Sequence, residues 1–204
     1  GLSGPRSVDV TVDPSPTPDP ALQPLLDSLA AVARRTPKDV WLMSSVGGRV
    51  FDDPRATRFV LDSVVPDHLV WINGWSGHGA VLNTRAMRET GLLEAPDPLG
   101  GWLGRDASGR TTGRFDEYAI YGTQRRLGRA RGDSLFARSV QRYGEQILAM
   151  GITSVQDMTV GYELDRARAV ARRASSRNST PPLLRAAATL PTGTCASFSR
   201  GRET

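Results

Sequence analysis

The chain has 204 residues, of which 39% are hydrophobic and 23% charged, a balance that suits a globular core and excludes a disordered polymer. Its formal charge of +5 comes from 26 basic against 21 acidic residues, and 25 of the 26 are arginine. The densest basic stretch, RRLGRARG at 125–132, carries no interleaved aromatics to stack on bases, so we read a solvated face and expect no nucleic-acid partner.

No apolar run approaches the roughly 20 residues of a membrane helix, and no charged-then-apolar leader opens the chain, so no membrane partner is expected. The single cysteine, Cys195, excludes an internal disulfide and fits a reducing, cytoplasmic setting. The first residue is Gly1, which places the expected natural start further upstream.

In chain order, the Pro-rich VDPSPTPDP leads into a helix whose buried stripe is Leu22, Leu25, Leu26, Leu29 and Ala33, with Asp19-Pro20 or Gln23-Pro24 at its start. VWLM (40–43) is a continuous apolar run of the kind expected in a strand covered on both faces, and LVWI (69–72) is a second. Between them, Phe59, Val60 and Val64 mark a helix that Pro66 stops. A further helix near 84–90 ends at Gly91, with Asn83 as its N-cap and Met87 and Leu92 placed for the apolar contact of a left-handed C-cap.

The segment GGWLGRDASGRTTGRF reads as a hairpin turning at Asp106 to Gly109. A long helix follows from about Ser134 to Met150, with the stripe Phe136, Val140, Tyr143, Ile147 and Met150 and a stop at Gly151. ITSVQD (152–157) is a third strand, 162–174 another helix and LLRAAATL (183–190) a fourth strand. Alternating strands and helices predict parallel strands with crossover helices. Without a dinucleotide-binding glycine fingerprint, the pattern suits an α/β fold made of part of a (β/α)₈ TIM barrel, about four β/α units with a β-hairpin excursion. The expected division is a partial barrel over 1–190, with the hairpin inserted at about 99–116, and an unstructured tail over 191–204.

Three segments, in order, resemble one family. DDPRATRFVLDSVVPDHLVWINGWSGHGAVLNTRAMRETGL carries a GH-x-A-x-x-N-[ST] run, PDPLGGWLGRDASGRTTGRFDEYA follows a PDPPGG…RD..G.PTG.L.E.A pattern, and MGITSVQDM follows GIT[ST]V[HQ]D. Together, from about Val40 to Leu190, they resemble the amidohydrolase superfamily in its YtcJ-like branch (amidohydrolase family 3). The resemblance implies a metal-dependent (β/α)₈ hydrolase that cleaves amide C–N bonds of small molecules by attack of metal-bound water. It also implies a divalent metal, usually zinc, held by a His-x-His pair, a midway carboxylate or modified lysine, two later histidines and a late aspartate.

This sequence has only His68 and His78, no His-x-His, and Lys38 ahead of a strand instead of after one. The expectation is therefore an internal part of such an enzyme, inactive alone and holding metal weakly or not at all. The alternative is a non-catalytic truncated remnant that associates with a partner, or with itself through open barrel edges.

His78, after the strand LVWI and between Gly77 and Gly79, falls at the carboxyl end of that strand, where barrel active sites lie, and is the candidate catalytic and substrate-binding residue. The plain alternative is a loop histidine bonded to a carbonyl. His68 precedes the same strand and is read as stabilising. Asp157 ends ITSVQD on the same expected face as a second catalytic candidate, or caps the next helix, with Gln156 pointing the other way. Glu117 matches the family's glutamate as a possible metal ligand or bridge, or is a first-turn helix glutamate. Trp75 walls a substrate pocket or packs. GWSGHG lacks the second glycine of a nucleophile elbow, so serine-hydrolase chemistry is excluded. A glycosidase would need two carboxyls facing one another across the pocket.

Overall fold

The computed structural model describes residues 7–12, 19–130, 133–157, 165–166, 169, 185–187 and 196–199. They fall in two units, one spanning Pro5–Thr123 and the other Gln124–Thr204 together with Gly1–Gly4.

The first unit holds β1 (Ser7–Asp9), β2 (Trp41–Val46), β3 (Leu69–Gly74), β4 (Gly79–Leu82), β5 (Gly101–Arg105) and β6 (Thr111–Glu117), in the sheet order β1-β2-β3-β4-β6-β5. β1, β2 and β3 run parallel, whereas β4 is antiparallel to both β3 and β6, and β5 is antiparallel to β6. The sheet is mixed and open, which corrects the expectation of an all-parallel run of β/α units. The cause is β4. Its four residues, GAVL, are all buried and show no alternation, so the sequence alone reads them as the lead-in to a helix instead of a return strand.

One face of this sheet meets α1 (Leu22–Ala33) and α3 (Arg58–Val64). Helix α1 begins at Leu22 with Pro24 in its first turn, where a missing N–H costs little. It buries Leu22, Leu25, Leu26, Leu29 and Val32 with Leu42, Val46, Val70, Ile72 and Val81 in one cluster. Each such side chain contributes about 1.5–3 kcal/mol of burial free energy. Side chains alternate along a strand, so Trp41, Trp71, Leu82 and Phe115 lie on the other face, where Trp71 and Phe115 meet edge to face at 5.3 Å.

A short helix, α2 (Gly48–Asp52), follows β2, and α4 (Thr84–Glu89) follows β4. Asn83 caps α4 by accepting from the Ala86 N–H. At its other end Gly91 takes φ +68°, and the Leu92 N–H reaches back to the Met87 carbonyl at 2.8 Å, the expected left-handed cap.

The hairpin excursion is β5 and β6, turning at Asp106–Arg110. The Asp106 carboxylate accepts from the Ser108 hydroxyl (2.6 Å), from the Ser108 and Arg110 backbone N–H groups (2.9 and 3.0 Å) and from Arg110 Nε (3.0 Å). These bonds, the Ser108 hydroxyl first, pull its pKa from 3.8 down to about 2. A lowered carboxyl pKa stabilises above the ordinary value and loses that contribution as pH falls through the folded one. The Arg110 amide should therefore lose protection from hydrogen exchange between about pH 4 and pH 2. Asp106→Ala, which removes the acceptor, should already lack that protection at neutral pH and match the parent at pH 2.

In the second unit, α6 (Asp133–Ala149) ends with Gly151 at φ +80° and an Ile152 N–H to Ile147 carbonyl bond of 3.0 Å. Its covered side runs through Phe136, Val140, Gly144 and Ile147, and the expected Tyr143 and Met150 are exposed. A small glycine, invisible to an apolar count, takes the place assigned to tyrosine. β7 (Ser154–Asp157) and β8 (Arg185–Ala187) both pair antiparallel with β9 (Ala196–Ser199), so they run the same way with β9 between them. β9 lies within the stretch expected to be an unstructured tail. The helix expected over 162–174 falls mostly outside the described residues, and Cys195 wholly so. No described helix is long and apolar enough to cross a membrane. α5 (Tyr118–Ala130) starts in the first unit directly after β6.

Candidate active site

β3 runs parallel to β2 and ends at Gly74, and the chain turns through Trp75, Ser76 and Gly77 before returning as β4. Gly77 at φ +76° closes the turn, with its N–H bonded to the Gly74 carbonyl at 2.9 Å. His78 therefore sits at a hairpin tip beside the carboxyl ends of the parallel strands. That end is the expected one. The hairpin itself was not foreseen.

Three bonds fix the residue. Its backbone N–H donates to Ser76 Oγ at 3.2 Å, and its carbonyl accepts the Glu117 N–H at 3.1 Å. Its ring Nδ1 lies 3.0 and 3.2 Å from the two carboxylate oxygens of Glu117. The side chains of His78 and Glu117 are 62% and 48% exposed, so the pair opens to solvent. Glu117 ends β6 with φ +53°, a left-handed backbone that costs a glutamate energy.

Trp75 is 54% exposed on the same turn, anchored by its N–H to the Val46 carbonyl at 2.9 Å. Tyr118, next to Glu117, is also exposed and rests edge-on against Tyr121. Asp116 pairs with Gly79, and a Cβ at Gly79 would fall 2.8 Å from the Asp116 Oδ1. Burial pushes the Asp116 carboxyl above its usual pKa, offset by the Arg114 charge and reinforced by Glu117. Asp116 was missed by the sequence reading. Its signal was the doubled acid Asp116-Glu117 at a strand end, where alternation puts the two on opposite faces.

Other candidates separate. His68 is buried at the amino end of β3, with Nε2 3.1 Å from the Thr36 carbonyl, the stabilising place expected. Lys38 is exposed and paired with Asp67 at 2.8 Å. Asp157 and Gln156 belong to the second unit, placed by backbone pairing with Ala196 and Ser197. Asn83 is a cap, as expected, and more than a cap, because its amide also bonds Val70, Val65 and His68.

Catalytic divalent-metal sites draw on three or so protein ligands. Among the described residues no group of three His, Cys, Asp or Glu side chains could hold a metal ion, and His78 and Glu117 face each other through Nδ1 and the carboxylate. The described residues therefore do not fit a metal centre.

The chain belongs to the amidohydrolase family, whose model matches residues 8–190. N-substituted formamide deformylase of Arthrobacter pascens is 26% identical over 162 residues, which are 76% of this chain and 29% of the relative. This chain thus spans about three tenths of the length of that curated relative. A solved structure of an uncharacterized metal-dependent hydrolase from Pyrococcus horikoshii OT3 aligns with a TM-score of 0.47 at 17% identity, over 84% of this chain and 33% of the other.

Proposed function

We propose that the chain contributes a substrate-facing part of a YtcJ-like, metal-dependent hydrolase that cleaves amide C–N bonds of small molecules. The observation that carries this reading is the exposed His78–Glu117 pair at the carboxyl ends of parallel strands, in a chain of the amidohydrolase family. Ligands gather at that end in barrels and open α/β sheets alike.

His78 binds the amide, its free ring nitrogen accepting the N–H or, once protonated, donating to the carbonyl oxygen. Trp75 offers an apolar wall for the substituent on nitrogen. Asp157, at the end of β7 in the second unit, remains a separate acid–base candidate. The described residues supply no ligand set for the divalent metal, zinc in the usual case, so the part argued for this chain is recognition, and turnover by the chain alone is expected to be negligible.

The N-substituted formamides named for the relative select the probe. In a ¹⁵N-labelled sample titrated with N-methylformamide, the His78 ring and Trp75 indole signals should shift together and saturate, and His78→Ala should abolish the Trp75 shift. Unmoved signals from both residues at saturating probe would overturn the reading.

A further inference from the structure

We propose that Glu117 is a positioning residue that holds neutral His78 in the Nδ1–H tautomer, leaving Nε2 as a bare acceptor turned toward the ligand. The inference rests on the functional reading above for the ligand, but its geometry stands apart from it. Both Glu117 oxygens lie within 3.2 Å of Nδ1, so the carboxylate engages that nitrogen of the ring. A carboxylate only accepts, so the nitrogen facing it must carry the proton. In a neutral imidazole the other nitrogen is then unprotonated.

The second observation is the backbone. Glu117 keeps a left-handed conformation, φ +53°, where glycine or asparagine would sit with less strain. Its N–H is bonded to the His78 carbonyl at 3.1 Å, so the same residue grips His78 at backbone and ring. Such strain persists where surrounding structure over-determines it, and it gathers at functional sites. Asp116, the neighbouring acid, pairs across to Gly79 on the opposite face and does not compete for the ring.

A ring fixed this way accepts and does not donate in its neutral form. It selects ligands that present a hydrogen-bond donor, an amide N–H or a water, over ligands that present only a carbonyl. A histidine free in water prefers the opposite tautomer, with the proton on Nε2, so the effect can be read directly.

The test is the ¹⁵N spectrum of the His78 ring at a pH where it is neutral. The parent should show a protonated Nδ1 and an unprotonated Nε2. Glu117→Gly removes the acceptor and relaxes the backbone, and the two nitrogens should exchange their spectral positions. Glu117→Gln keeps the side-chain length but can donate as well as accept, so it should release the ring toward the Nε2–H form, which separates the loss of the carboxylate from any relaxation of the backbone. A parent already protonated on Nε2, or a Glu117→Gly variant with the parent pattern, would overturn the inference. The amide titration fails or succeeds independently: a shifted His78 with the wrong tautomer sinks only the positioning role, and the right tautomer with no response to N-methylformamide sinks only the substrate reading.

Discussion

Replacing Asn83 with alanine is expected to lower the unfolding free energy of the first unit by roughly 3–5 kcal/mol. The side chain is fully buried and uses both ends of its amide. Oδ1 accepts from the Val70 N–H at 3.1 Å and the Ala86 N–H at 3.0 Å, and Nδ2 donates to the Val65 and His68 carbonyls at 3.3 and 2.8 Å. Four backbone groups from β3, α4 and the loop before β3 thus share one residue, and each left buried without a partner costs about 1–3 kcal/mol, with partial relief from relaxation. Asn83→Asp would keep the acceptor but aim a charge at two carbonyls, so it should not rescue. Urea unfolding followed through the buried Trp41 and Trp71 would measure it. A loss below about 1 kcal/mol would mean the amide is only a helix cap.

Gly113→Ala should be comparably damaging, by about 3 kcal/mol or more. Gly113 lies in β6 at φ +90°, and a Cβ there would collide with the Leu82 carbonyl oxygen and come 2.7 Å from Arg58 Cβ and 3.0 Å from Arg58 N. Backbone cannot swing aside as a flexible side chain can. Arg58 is itself committed, its Nε donating to the Thr111 carbonyl at 2.6 Å and its guanidinium to Thr84 Oγ1 at 2.7 Å. Displacing it would loosen the seam between α3, β6 and α4. Gly109→Ala provides the control: φ is +82°, but nothing lies within 4 Å of the added carbon. It should cost only the conformational penalty of about 1–2 kcal/mol. Equal losses in the two variants would show that strain and not collision governs Gly113.

Elements with a strong period were legible in the sequence. Leu22 to Leu29 set α1, the apolar runs at 40–43 and 69–72 set β2 and β3, and the Asp106–Gly109 turn set the β5–β6 hairpin. Short elements without a period were not. GAVL is buried throughout and as compatible with a helix entry as with a strand, and SVD in β1 is exposed on every residue. Missing β4 turned a mixed sheet into an imagined parallel one. The site was half legible. His78 could be placed at a strand end from the chain order, and Glu117 could be singled out by its motif. That the two touch could not be read, because the contact spans 39 positions and depends on β4 pairing with β6. The same pairing explains Asp116, whose significance appears only when Gly79 is seen across from it.

The left-handed backbone at Glu117 also narrows the routes by which this position can drift. Glycine and asparagine would be relaxed there but carry no charge, and aspartate, which tolerates the conformation, is one methylene shorter than the reach to the ring demands. Conformational ease and chemistry therefore select different amino acids at a single codon. If the proposed role of His78 holds, a lineage that stopped needing the imidazole would be expected to surrender the glutamate early, making residue 117 a marker of whether the histidine is in use.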